Sequence, residues 1–138
     1  MSTVSPTSRE RLATPVRDFM RPGVITVPDD ASLLDAKRAM VRHGVHAVLI
    51  VPAAGGRPLG WVSDGGLLAW LERDLSSVPA AHAVTEPPHY VEPGAVAREA
   101  LEALAAPAVT HLLVAPVAGG APHGVVAPID LVDLVSHA

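Results

Sequence analysis

The chain has 138 residues, with ten Lys and Arg against fourteen Asp and Glu, for a net charge of −4. Hydrophobic residues make up 49% but aromatics only 3%, so the apolar fraction is chiefly Ala, Val and Leu. This excludes a disordered acidic chain, which needs low hydrophobicity and high net charge. It also argues against a single-stranded nucleic-acid binder, which needs a basic groove and aromatic stacking platforms. With no cysteine, disulfide scaffolds, thiolate metal sites and a Cys nucleophile are out.

Residues 1–13 are polar, Ser/Thr-containing and basic, and are expected to form a flexible leader that docks on the core. They lack the apolar stretch of a secretory signal, so a cytoplasmic location is expected. No run of about 18 apolar residues suggests a membrane span. Val24–Val27 is a short β-branched strand ended by Pro28-Asp29-Asp30. Ser32 is placed to cap a helix with Asp35 three residues on, a variant of the capping box. Leu33, Ala36, Lys37, Met40 and Val41 keep one face of that helix, and Gly44 stops it. Val45–Val51 reads as a buried strand, Pro52–Pro58 as a loop to an antiparallel neighbour, Leu59–Ser63 as that neighbour and Gly66–Arg73 as a helix. The later part repeats the order with His89–Val91, Ala95–Ala106, Thr110–Ala115, His123–Ala127 and Pro128–His137.

Sliding the chain by 64 residues makes the repeat explicit: Val27 falls on Val91, Val45 on Val109, Leu49 on Leu113, Gly60 on Gly124 and Leu67 on Leu131. The loop Pro52-x-Ala54-Gly55-Gly56-x-Pro58 meets Pro116-x-Ala118-Gly119-Gly120-x-Pro122 without a gap. Two β-α-β-β-α motifs, residues 14–78 and 79–138, are thus expected to form one pseudo-symmetric α+β module packed through its sheets, since one three-stranded sheet cannot cover both faces alone.

The duplication, the element order and the pattern Gly–apolar–apolar–Ser/Thr–x–x–Asp–Leu resemble a pair of CBS domains, a Bateman module. The segment Val16–Met40 is similar to the start of a first CBS motif, with Val16–Met20 as a short entry helix. The resemblance implies a non-enzymatic regulatory module that senses AMP, ADP, ATP or S-adenosylmethionine in clefts between motifs. It also implies a homodimer and a regulated protein partner. A hydroxyl beside a helix start can donate to phosphate, and an Asp three residues later can accept two bonds from a ribose diol.

Each copy keeps half of that pair. The first has Ser63 but Gly66 where the Asp is expected; the second has Asp130 but Ala127 for the hydroxyl, followed by Pro128. Asp64 is no substitute, because two residues turn a side chain about 200° around a helix axis. The second motif is therefore the favoured site, with His89, Tyr90, Val109, Thr110 and Asp130. The first, degenerate site has Thr26, Val45, His46 and Ser63. Against ligand contact stand plainer roles: Ser63 as a helix cap, and Asp130 as a helix-start carboxylate favoured by the dipole. A ligand-free dimerisation or partner-docking module is thus the alternative function.

No cofactor is required and no nucleic-acid or membrane partner is expected. His43 and His46 are separated by the helix-ending Gly44 and do not make a metal motif. Gly60-Trp61-Val62-Ser63-Asp64-Gly65 is not a nucleophile elbow. Trp70 is expected in core or dimer packing.

Overall fold

In the computed structural model, which describes residues 7–136, the first helix, α1 (Ser8–Arg11), is set by a capping box. Thr7 Oγ1 accepts the Glu10 N–H, and the Glu10 carboxylate accepts the Thr7 N–H. Arg11 donates to the Leu134 carbonyl at 3.1 Å. Residues 7–13 of the expected leader are thus docked; residues 1–6 lie outside the described residues. A 3₁₀ turn over Val16–Asp18 takes the place of the entry helix and leads to β1 (Arg21–Pro22).

Contacts divide the chain into two units. One is Val24–Pro88; the other joins the chain up to Gly23 with the chain from His89 onward. The first unit holds β2 (Thr26–Pro28), α2 (Leu33–His43), β3 (Ala47–Val51), β4 (Gly60–Ser63) and α3 (Asp64–Leu67). β2 pairs parallel with β3, and β3 antiparallel with β4. The capping box expected at Ser32 forms: its hydroxyl accepts the Asp35 N–H at 3.1 Å and Asp35 returns a bond to the Ser32 N–H. Gly44 ends α2 with φ +63°, the left-handed cap that glycine supplies at least cost. Leu33, Ala36 and Met40 bury that helix against Val48, Ile50 and Val62 of the sheet. Each such Leu or Val side chain contributes about 1.5–3 kcal/mol on full burial.

The second unit adds β5 (Tyr90–Val91), α4 (Ala97–Leu104), β6 (Leu112–Val114), β7 (Gly124–Val126) and α5 (Pro128–Ser136). Its sheet has four strands, ordered β1-β7-β6-β5, because β1 adds antiparallel to β7. Val16, Ala97, Ala100, Leu112, Val126 and Leu131 form its core.

The mixed α+β class and the duplicated element order agree with the sequence, but several limits move. The strands start later than expected, at Thr26, Ala47 and Leu112. The helix expected over 66–73 is instead α3 followed by a 3₁₀ turn at Leu68–Trp70. The Ser63 cap starts it two residues early, and Gly65 and Gly66 weaken it through their helix-interior cost of about 1 kcal/mol each.

The unit limits also differ from the repeat limits at 14 and 79. The Val16 N–H donates to the Ala95 carbonyl at 2.7 Å and the Ala97 N–H to Thr14 at 2.8 Å. Sixty-four residues on, the Ala80 N–H donates to Ala31 at 2.7 Å, while the Leu33 N–H donates to Val78 at 2.9 Å. The entry segment of each repeat is therefore built into the unit that holds the other repeat's sheet.

Candidate functional site

In the first unit, β4 runs straight into α3. Ser63, half-buried, accepts the Gly66 N–H on Oγ at 3.0 Å and so caps that helix. A hydroxyl that accepts this bond still has its own hydrogen to donate, so capping does not consume the group. Asp64 Oδ1 accepts the Gly65 N–H at 2.7 Å, and Oδ2 lies 2.8 Å from His46 Nδ1. The His46 carbonyl in turn accepts the Asp64 N–H at 2.8 Å. The histidine contact, and then the Gly65 N–H, hold the Asp64 carboxyl below the usual aspartate range. Both side chains are largely exposed, so solvent screens their attraction.

Val45, His46 and Asp64 line a groove of about 340 Å³ with Lys37, Met40 and Val41. Of the residues expected here, Val45, His46 and Ser63 thus gather at one end of the sheet. Thr26 sits on β2 opposite Leu49, three residues along the neighbouring strand from His46.

In the second unit, β7 ends at Val126 and Asp130 lies in the first turn of α5. Its Oδ2 accepts the Ala127 N–H at 2.8 Å, and its Oδ1 accepts from Arg21 Nε at 2.9 Å. The carboxylate side chain is only 10% exposed, against 56% for Arg21. A pocket of about 210 Å³ is lined by Arg11, Phe19, Asp130, Asp133 and Leu134.

Tyr90 pairs with Leu113 across β5 and β6, and the His89 carbonyl accepts the Leu113 N–H at 2.8 Å. The Tyr90 hydroxyl is buried with no hydrogen-bond partner among the described residues. Val109 packs on the unit's core, and Thr110 Oγ1 lies 2.8 Å from His111 Nδ1. Among the described residues, no group of three or more His, Asp or Glu is arranged to hold a metal ion.

Two polar partners escaped the sequence reading. His46, named from sequence as a first-motif site residue, meets Asp64, eighteen residues away. Arg21 belongs to no sequence motif, yet it touches the favoured Asp130. A signal existed: the 64-residue shift places Arg21 on Thr85 and Asp130 on Gly66. Arginine and carboxylate are thus present together in one unit and absent together in the other.

Two strand–helix–strand–strand–helix copies, each with a polar cluster where its last strand enters its last helix, define a duplicated α+β binding-module class. Residues 16–73 match the family model of the CBS domain. The chain is 26% identical to the CBS domain of the bacterial CNNM/CorC family Mg2+ transporter in complex with ATP, covering 93% of this chain and 91% of that one at a TM-score of 0.79. The CBS domain protein PAE2072 from Pyrobaculum aerophilum, complexed with AMP, shares the fold at 17% identity, covering 90% of this chain and 99% of that one with a TM-score of 0.74. The CBS-domain containing protein ATU1752 from Agrobacterium tumefaciens does so at 22% identity, 88% and 98% coverage and a TM-score of 0.73. No curated protein matches the sequence. Residues 16–73 are thus matched as a CBS domain, and the chain as a whole is similar in fold to a CBS-domain structure over 93% of its length.

Proposed function

We propose that this CBS pair is a non-catalytic regulatory module that binds an adenosine-containing ligand, with the second motif as the principal site. The observation that carries this is Asp130, a nearly buried carboxylate fixed at the start of α5 by the Ala127 N–H. Its position matches that of the ribose anchor in the family pattern. The likeness to a CBS domain in complex with ATP supports the ligand class. His89, Tyr90, Val109 and Thr110 are proposed to complete this site. Thr26, Val45, His46 and Ser63 are proposed to form a weaker one. Binding would shift a conformational or assembly equilibrium, which requires different affinities for the two states.

A thermal-shift titration of the whole chain with AMP, ATP, NAD(H) and S-adenosylmethionine tests this. Ligand at a hundred times Kd stabilises by about 2.7 kcal/mol, so a clear rise is expected at millimolar nucleotide. Asp130→Ala is expected to weaken binding more than Ser63→Ala; the reverse order would move the site to the first motif.

A second reading, a ligand-free dimerisation or docking module in the cytoplasm, is favoured by exposed apolar side chains. Val41, Leu68 and Leu71 are 70%, 69% and 61% exposed in one unit, and Ile129 and Val132 are open in the other. A flat response to every ligand, together with a dimer by light scattering, would support this reading instead.

A further inference from the structure

The Asp130 carboxylate is not idle in the unliganded chain. It has about four lone-pair positions, of which the Ala127 N–H takes one and the Arg21 guanidinium another. One position per oxygen remains, so a ribose diol that uses both oxygens draws on the same Oδ1 and sits against the Arg21 guanidinium. The Arg21 backbone is paired with Val125 in the sheet, which fixes the base of its side chain near Asp130. A Cβ on Gly124 would come within 2.3 Å of the Arg21 carbonyl, so only glycine there permits this close seating. The guanidinium bonds Asp130 through Nε alone, which leaves four N–H donors on its two terminal nitrogens.

The other unit supplies an internal control. Thr85 stands at the place of Arg21, and its N–H donates to the Trp61 carbonyl just as the register pairs Arg21 with Val125, 64 residues from Trp61. The Thr85 methyl lies 3.9 Å from where a Cβ on Gly66 would be. Where the carboxylate is missing, the cation is missing too. The two copies also divide the phosphate donors: the first has the Ser63 hydroxyl, and the second has Ala127 at that place but gains a guanidinium two hydrogen bonds away.

Resting on the reading of Asp130 as a ribose anchor, we infer that Arg21 is the specificity-determining residue of the second motif: seated on Asp130, it disfavours neutral or cationic adenosine compounds and favours those that carry phosphate. A nucleoside that hydrogen-bonds Asp130 draws on the carboxylate that holds the guanidinium and supplies no negative charge in return. A phosphate on the same ligand gives Arg21 a new anionic partner that its planar fork suits. The site is thereby selective for adenine nucleotides over adenosine and over S-adenosylmethionine, whose sulfonium adds positive charge beside Arg21.

Calorimetric titration of the full chain with AMP, ATP, adenosine and S-adenosylmethionine provides the test, using the natural sequence, Arg21→Thr and Arg21→Lys. Thr is the residue that the other repeat carries at this place and does not disturb the backbone pairing. The natural chain is expected to prefer AMP over adenosine by about tenfold or more, the scale of one charge-assisted contact. In Arg21→Thr, adenosine binding tightens and AMP binding weakens, so the ratio collapses toward one; Arg21→Lys falls between. A natural chain that binds adenosine as well as AMP overturns the inference without any variant. So does an unchanged ratio in Arg21→Thr, and in both cases the ribose-anchor reading survives. If no adenosine compound binds either protein at millimolar concentration, that reading and this inference fall together.

Discussion

Asp130 can be assigned a structural worth separate from any ligand, and Asp130→Ala measures it. The substitution removes two bonds at once. The Ala127 N–H, part-buried at the start of α5, loses its acceptor; a hydrogen bond to a charged group is worth about 1.5–3 kcal/mol, and the donor left behind is costly. The helix start also loses a negative charge, about 0.3–1 kcal/mol. The Arg21 ion pair adds little, about 0–1 kcal/mol, because Arg21 is 56% exposed and its charge returns to water when released. The expected loss is about 2–3 kcal/mol, which for a chain of this size lowers Tm by about 10 °C. Asp130→Asn keeps an oxygen for the Ala127 N–H and forfeits mainly charge, so it costs about 1 kcal/mol. Arg21→Thr costs less than either. Urea unfolding followed by circular dichroism at pH 7 reads all three, with an unchanged slope confirming that native stability moved. An Arg21→Thr as costly as Asp130→Ala would refute this ordering, because the ion pair and not the backbone bond would then hold α5.

Gly44, which caps α2, and Ala108, its equivalent in the loop after α4, share a left-handed backbone at φ +63° and +67°. Ala108→Gly is expected to stabilise by up to about 1 kcal/mol, and Gly44→Ala to destabilise by about 1 kcal/mol; paired urea midpoints check the opposite signs. Gly60 has φ +146°, and an added Cβ would sit 2.3 Å from the Glu86 carbonyl. Gly60→Ala is therefore expected to cost more than about 2 kcal/mol and lower the thermal midpoint far more than Gly55→Ala, whose Cβ position is open. For Asp64, the native carboxyl lies below its usual range. Its stabilisation is thus present above the ordinary aspartate range and is lost as pH falls through the lowered value. Asp64→Asn should cost no more than about 0.5 kcal/mol at pH 7 after screening, with the difference closing in urea titrations as pH falls through the lowered Asp64 value.

Local chemistry was readable wherever a residue's partner lies within a few positions. The Ser32–Asp35 box, the Gly44 stop and the antiparallel return after the Gly-Gly loop are of that kind. Each depends on hydrogen bonds or φ values that a short window dictates. Apart from element limits such as those of α3, what the sequence hides involves partners far along the chain. No periodicity marks Val16 as wholly buried among Ala97, Ala100 and Leu112, or the 78–83 segment as belonging with α2. The same holds for the polar groups. Ser63 and Asp130 were visible by type and spacing, while Arg21 reaches Asp130 across 109 residues.

The internal repeat is what makes such distant pairs recoverable. Backbone bonds of one copy recur 64 positions on in the other, as 16→95 does in 80→31. Equivalent positions therefore share a backbone setting, and a difference in side chain between them reports a difference in chemistry. By that comparison, Arg21 with Asp130 against Thr85 with Gly66 is a paired change, and so is Ser63 against Ala127. Neither copy is simply a worn version of the other. The first keeps a neutral donor and has Gly66 where the second has a carboxylate bound by a cation. On the proposed reading, a module built this way has two unequal sites, and ligand charge is the property by which they differ most.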